Sequence, residues 1–164
     1  AANLLTIYLG LETLALSLYG LVAANKNSIE STEAAMKFFI LGAIASAIFL
    51  YGISLIYGIY GTLNINLLNV MIVNNTLELK IAVGFILCGI AFKFGAIPFH
   101  SWVPDTYQGA STPVALFIST APKIAAFALL YRLLIDAFIS ISETWVVMIC
   151  ALGMISLIIG NLIA

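Results

Sequence analysis

The chain has 164 residues, of which 63 % are hydrophobic and only 8 % are charged, and its net charge is -1. Soluble domains hold about 45–50 % apolar and about 25 % charged residues, so this composition excludes an ordinary soluble domain and predicts a membrane protein. The low net charge also argues against a nucleic-acid partner, which would need clustered lysine and arginine. Cys88 and Cys150 lie in separate apolar runs and suggest neither a disulfide nor a metal site.

Five apolar runs are long enough to cross a bilayer as helices, because a hydrocarbon core of about 30 Å needs about 20 helical residues. The expected fold class is therefore an all-α bundle of transmembrane helices forming a single membrane domain. A short interfacial helix is expected in the asparagine-rich stretch 61–76. The predicted membrane helices cover 1–24, 34–60, 78–99, 113–135 and 144–164.

Local signals predict one helix start and one helix break. Thr32 is the predicted N-cap of the second helix. Pro98 and Pro104 each remove a backbone donor, so the third helix is predicted to be discontinuous near these prolines. A short helix should resume at about 105–111, with Asp105 as its cap.

Four charged residues lie within the predicted helices, where a charge at the centre of the bilayer costs about 2.5–3.5 kcal/mol. They are Glu12, Lys37, Lys93 and Lys123. Glu12, Lys93 and Lys123 lie too deep for their charged groups to reach the membrane interface comfortably, which favours a functional role. Lys37 is nearer its helix start, and it could equally reach the interface or pair with Glu33 four residues earlier.

We expect Glu12 to pair with Lys93 from another helix. At about 4 Å and an effective dielectric constant of about 20, the attraction is roughly 4 kcal/mol, and desolvation of the two charges opposes it. Lys93 would therefore hold a proton while Glu12 is near and release it when Glu12 leaves. Moving one proton against about 200 mV takes about 4.6 kcal/mol, so these energies permit pumping.

The predicted break also implies a water-filled pocket beside Lys93, because unpaired backbone groups at membrane depth must be covered by protein or water. His100 could join a proton relay, because imidazole is a common proton shuttle, although an orienting hydrogen bond in the loop is the simpler interpretation. Five hydroxyl side chains could order water between Lys93 and Lys123: Ser101, Thr106, Tyr107, Ser119 and Thr120.

The segment from Phe92 to Ala110 reads FKFGAIPFHSWVPDTYQGA. It resembles a signature of the antiporter-like membrane subunits of respiratory complex I, the proton-pumping NADH:quinone oxidoreductase. Further support comes from residues 8–19, from residues 31–39 and from Lys123-Ile124-Ala125 followed by Arg132.

This resemblance implies roles for the four charged residues of the predicted helices. In the family, the fifth helix carries a glutamate, the discontinuous seventh carries its partner lysine and the eighth carries a central lysine. Glu12, Lys93 and Lys123 match these positions, and Lys37 matches a lysine of the sixth helix. The resemblance further implies an inverted second half, with its own output-side lysine, beyond residue 164. Both ends of the chain lie inside apolar runs, so we expect it to be an interior piece of a longer protein.

The resemblance also implies an enzyme complex in which this subunit moves protons and performs no redox chemistry. No flavin, iron–sulfur, quinone or metal ligand is therefore expected here. The expected partners are other membrane-arm subunits, the lipid bilayer, protons and internal water. The expected location is a bacterial inner membrane, with the mitochondrial inner membrane as the second choice.

Two other functions stay open at this point. A monovalent cation/proton antiporter subunit would share the broken helix and the lysines, and sodium-dependent transport without an NADH dehydrogenase would favour it. A membrane scaffold would use the buried charges only to set helix register. Charge-neutral replacements that keep the packing would then leave function intact.

Overall fold

The computed structural model describes residues 2–73 and 75–163, and within these ranges the expected all-α fold is confirmed. Residues 1 and 164, at the ends of the first and last predicted helices, and Asn74 of the asparagine-rich stretch lie outside the described residues. The described part of the chain forms α1 (Leu4–Val22), α2 (Ile29–Tyr60), α3 (Ile65–Met71), α4 (Leu77–Phe94), α5 (Trp102–Gly109), α6 (Thr112–Arg132) and α7 (Ser142–Ile163).

Four helical stretches in the described ranges are long and apolar enough to cross a membrane. They are α1, α2, α6 with the π-helical turn Leu133–Ala137 that continues it, and α7 with the short 3-10 turn before it. The third predicted span corresponds to α4, which has 18 residues and carries Glu78, Lys80 and Lys93. Half of its residues are buried, and it contacts α2, α6 and α7, so neighbouring helices cover it.

The start of α2 corrects the predicted N-cap. The helix begins at Ile29 because Ser28 caps it, and the Ser28 side chain accepts a hydrogen bond from the backbone N–H of Ser31 at 3.2 Å. Thr32 lies within the first turn, where its hydroxyl donates to the Ser28 carbonyl oxygen. Ser28, four residues earlier, is therefore the N-cap in place of Thr32.

The break after α4 lies earlier than the prolines predict. The helix ends at Phe94 because Gly95 takes a left-handed conformation with φ of 71°, which closes a helix without steric cost. Pro98 lies in the non-helical connection and follows a cis peptide bond. Pro104 lies inside the first turn of α5, where a missing backbone N–H costs little, so it does not interrupt the helix.

The prediction that Asp105 caps the short helix is wrong. α5 begins at Trp102, with Ser101 before it, so Asp105 lies in the first turn of the helix. Its carboxylate is thereby free to pair with a neighbouring helix.

Apolar side chains form two separate clusters. The first joins the C-terminal half of α2 to α3, α4 and the π-helical turn, and includes Phe49, Ile86 and Phe138. The second joins α1, the N-terminal half of α2 and α5, and includes Phe38 and Trp102. Both α1 and α4 contribute to the two clusters, so a boundary between clusters crosses these helices.

Candidate functional site

The structure brings Glu12 and Lys93 together, as their charges predict. Glu12 comes from α1 and Lys93 from the last turn of α4, and the Lys93 Nζ lies 3.8 Å from the Glu12 Oε1. Their side chains are 24 % and 18 % exposed, so the bundle covers most of the pair. The separation allows Coulomb attraction but is too long for a hydrogen bond.

Ser46 on α2 is a second partner of Glu12. Its hydroxyl donates a hydrogen bond to Oε1, the same atom that faces Lys93, and the residue is buried. The neighbouring residues Ala45 and Phe49 belong to different apolar clusters, so Ser46 lies where the clusters meet. Sequence reasoning missed Ser46, because a hydroxyl within an apolar run does not reveal which helix it faces.

A cavity of about 30 Å³ lies beside Lys93, which is room for roughly one or two water molecules. Tyr19, Trp102 and Pro122 line it together with apolar side chains of α1, α2 and α6. The sequence predicts a water-filled pocket here, and a pocket is present, but its lining is mostly apolar. None of the five hydroxyl residues expected to order water is among its lining residues.

Those hydroxyl residues divide into two groups. Ser119 and Thr120 donate to the Leu116 carbonyl oxygen of their own helix, at 2.8 and 2.9 Å, and Ser101 is exposed. Thr106 Oγ1, Tyr107 OH and, beside them in sequence, His100 Nδ1 are buried and have no hydrogen-bond partner among the described residues. Leaving buried polar atoms unpaired is costly. These three atoms, which could each still make a hydrogen bond, all lie around the break and α5.

Lys123 lies on α6 directly after Pro122, which removes one backbone donor from the helix interior. Its Nζ lies 5.8 Å from the centroid of the Tyr107 ring, in the range of a cation–π contact. In the described part of the chain no carboxylate approaches its ammonium group to within 4.0 Å. Sequence reasoning did not single out Pro122, although a proline beside a charged residue inside a helix is a readable signal.

Lys37 lies at one end of the bundle and is half exposed. Its Nζ is 2.8 Å from Glu33 Oε1, the partner that the four-residue spacing predicts, and 2.9 Å from Asp105 Oδ2. The second contact joins α2 to α5, and no sequence pattern indicates it. Gly109 allows this close approach, because a Cβ there would meet the backbone of Glu30.

Within residues 2–73 and 75–163, no three histidine, cysteine or acidic side chains group in a way that could hold a metal ion. The expectation that the chain binds no cofactor stays a prediction.

The fold and the site define a polytopic α-helical membrane protein in which an acid and amines meet inside the bundle beside a broken helix. The family described as NADH:quinone oxidoreductase/Mrp antiporter, TM, matches residues 1–164, and the chain belongs to this family. The resemblance read from the sequence is confirmed.

Known relatives carry a more specific description. Proteins named NADH-quinone oxidoreductase subunit N from Alkalilimnicola ehrlichii and Acidithiobacillus ferrooxidans are 54 % and 52 % identical over 100 % and 99 % of this chain. The chain spans 34 % of each, about a third of their length.

Two solved structures share the fold. A chain of respiratory complex I from Thermus thermophilus is 43 % identical, with a TM-score of 0.72 over 80 % of this chain and 29 % of that chain. A chain of the Mrp complex from a Dietzia species is 26 % identical, with a TM-score of 0.75 over 84 % of this chain and 26 % of that chain.

Proposed function

We propose that this chain is part of a proton-translocating membrane subunit of an NADH:quinone oxidoreductase, in which Glu12, Lys93 and Lys123 form a proton relay. The observation that carries the proposal is the separation of 3.8 Å between the Glu12 carboxylate and the Lys93 ammonium inside the bundle. NADH oxidation and quinone reduction would occur in other subunits, and this chain would hold neither a catalytic centre nor a cofactor.

The relay depends on the distance between Glu12 and Lys93. An adjacent carboxylate favours the protonated lysine, and the last turn of α4 adds the negative end of the helix dipole. When the two side chains separate, Lys93 loses an attraction of roughly 4 kcal/mol at an effective dielectric constant of about 20. That loss is comparable to the 4.6 kcal/mol or so needed to move a proton against about 200 mV, so it favours transfer to Lys123.

The other predicted residues would serve this relay. Lys37, held by two carboxylates where α2 meets α5, would be the relay member at the end of the bundle. His100 would support transfer through its unpaired nitrogen. Ser119 and Thr120 could do so only by leaving the backbone carbonyl of their own helix.

The proposal is tested in the full-length subunit assembled in its complex. Lys93→Ala and Glu12→Gln should each lower NADH-driven proton pumping several-fold, measured by quenching of a pH-sensitive dye in inverted membrane vesicles. Lys80→Ala is the matched control, because Lys80 lies on the same helix near its start and should leave pumping unchanged. Normal pumping by both relay variants in an assembled complex would contradict the relay.

The same assay tests the interpretation that this chain is a membrane scaffold whose buried charges only set helix register. The double variant Glu12→Gln with Lys93→Met removes both charges and keeps the side-chain volumes similar. Normal pumping in this variant would show that the charges only set the packing of α1 against α4.

A cation/proton antiporter subunit is the second candidate function. The family description names the Mrp antiporter, and the Mrp complex chain shares the fold. Sodium-dependent proton transport by the full-length chain, in vesicles that lack the NADH dehydrogenase subunits, would support this candidate.

We further propose that the partners are other membrane-arm subunits, with lipid around the exposed helix faces and protons and internal water as the transported and conducting species. The bacterial origin of the relatives supports a bacterial inner membrane as the location.

A further inference from the structure

The Glu12 carboxylate has two unequal neighbours. The Ser46 hydroxyl donates a hydrogen bond to Oε1, whereas the Lys93 Nζ lies 3.8 Å from the same atom and makes none. A neutral donor on α2 therefore holds the carboxylate more closely than the charged partner on α4 does.

Several hydroxyl residues of these helices bond within their own helix, whereas Ser46 and Ser31 on α2 each reach α1, Ser31 by donating to the Val22 carbonyl oxygen. Thr13 and Ser17 on α1 donate to carbonyl oxygens four residues earlier in the same helix, as Thr120 does on α6. Such a bond is the usual choice for a hydroxyl inside a helix. Ser46 instead reaches across to α1, which makes its contact with Glu12 specific.

The three side chains also differ in freedom of movement. Ser46 is 7 % exposed, has a short side chain and is fixed between the two apolar clusters. Lys93 has a flexible four-carbon stem and no hydrogen bond to Glu12 in this structure. The hydroxyl is therefore the fixed partner of the carboxylate, and the ammonium is the mobile one.

We infer that Ser46 is a positioning residue for Glu12, an inference that rests on the proposed relay. Its hydrogen bond holds the carboxylate at the position where Lys93 can return to it, and stays in place when Lys93 turns away. A buried carboxylate without a donor is costly. Without the hydroxyl, the Glu12 carboxylate would lose its fixed position, and Lys93 would take up its next proton slowly.

The test uses the full-length subunit in its assembled complex. Ser46→Ala should lower NADH-driven pumping by about ten-fold or more, since loss of one hydrogen bond to a charged group corresponds to a factor of about ten to one hundred. Ser46→Thr keeps the hydroxyl and should retain most of the pumping. Ser17→Ala is the matched control, because Ser17 shares α1 with Glu12 but its hydroxyl donates only to the Thr13 carbonyl oxygen.

A second pair of variants separates positioning from packing. In a Glu12→Gln background, Ser46→Ala should cause no further loss of pumping, because Ser46 acts through the Glu12 carboxylate. An additional loss of the same size as in the wild-type background would show a purely structural role and overturn the inference. If Ser46→Ala does not assemble, Ser46→Cys replaces it, since a thiol has similar size and is a weaker donor.

The inference and the relay fail in different ways. Unchanged pumping in the alanine or cysteine variant, when Glu12→Gln is defective, overturns the role of Ser46 and leaves the relay standing. Unchanged pumping in Glu12→Gln overturns the relay and the role of Ser46 with it.

Discussion

Three lysines that look alike in the sequence occupy three different electrostatic environments. Lys93 faces one carboxylate inside the bundle, Lys123 faces the Tyr107 ring, and Lys37 binds two carboxylates at a half-exposed end. Water screens the charges around Lys37, whereas the bundle covers most of Lys93. A change of partner distance therefore alters the protonation of Lys93 more than that of Lys37.

Salt should separate these two kinds of ion pair. Lys37→Ala is expected to lower the thermal midpoint of the full-length protein in detergent only slightly, and the difference from wild type should shrink at about 1 M salt, because salt weakens ion pairs that are exposed to solvent. The effect of Lys93→Ala should persist at the same salt concentration, because its pair is mostly covered. A salt-independent loss in Lys37→Ala would show that the pairs with Glu33 and Asp105 are less exposed to solvent than their side chains indicate.

At the scale of the helix, the break after α4 is covered mainly by protein groups. The Trp102 Nε1 donates to the Phe92 carbonyl oxygen at 3.0 Å, and its ring stacks on Phe38 with centroids 4.6 Å apart. The Ile97 N–H donates to the Ser156 hydroxyl oxygen of α7 at 3.1 Å. Because side chains satisfy these groups, the cavity beside Lys93 can be small and mostly apolar.

Glycines on both helices, Gly52 on α2 and Gly89 on α4, let α4 pack closely against α2. A Cβ on Gly89 would lie 3.1 Å from the Phe49 Cα, whereas a Cβ on Gly84 would meet nothing closer than Met148 Cε at 4.0 Å. Gly89→Ala should therefore lower the free energy of unfolding by about 1–3 kcal/mol through overpacking. Gly84→Ala, on the same helix, should be neutral or stabilise by up to about 1 kcal/mol. Denaturation of the full-length protein in detergent measures both, and equal midpoints would contradict this packing.

At the scale of the whole molecule, α4 is central and α7 is peripheral. The proposed relay residues come from α1, α4 and α6, three helices that each contribute residues to both apolar clusters. α7 has no buried residue. Its side-chain hydrogen bonds to other parts of the described chain include those of Ser156 with Ile97 and of Thr144 with Asn75. Its exposed apolar surface suits lipid rather than water.

A relay that crosses the bundle should fail at either end. Lys123→Ala is expected to lower pumping as strongly as Lys93→Ala, because the proton released on α4 then has no acceptor on α6. The same vesicle assay measures it, with Lys26→Ala in the exposed loop before α2 as the control. Normal pumping by Lys123→Ala alongside a defective Lys93→Ala would remove Lys123 from the relay.

Much of the architecture follows from the sequence. Run length and composition determine the membrane helices, because the thickness of the bilayer and the cost of burying charge act on each segment separately. The pair between Glu33 and Lys37 also follows, since a spacing of four residues places both on one helix face. The pair between Glu12 and Lys93 was predictable because a buried acid needs a cation.

Only the tertiary structure decided which helix faces meet. The contacts of Ser46 with Glu12, of Asp105 with Lys37 and of Trp102 with the Phe92 carbonyl oxygen all join separate elements. Helices that are apolar on every side carry no stripe to indicate their rotation or register. Helix rotation and register are set by close contacts such as that of Gly89 with Phe49. They determine which polar groups come together in the bundle.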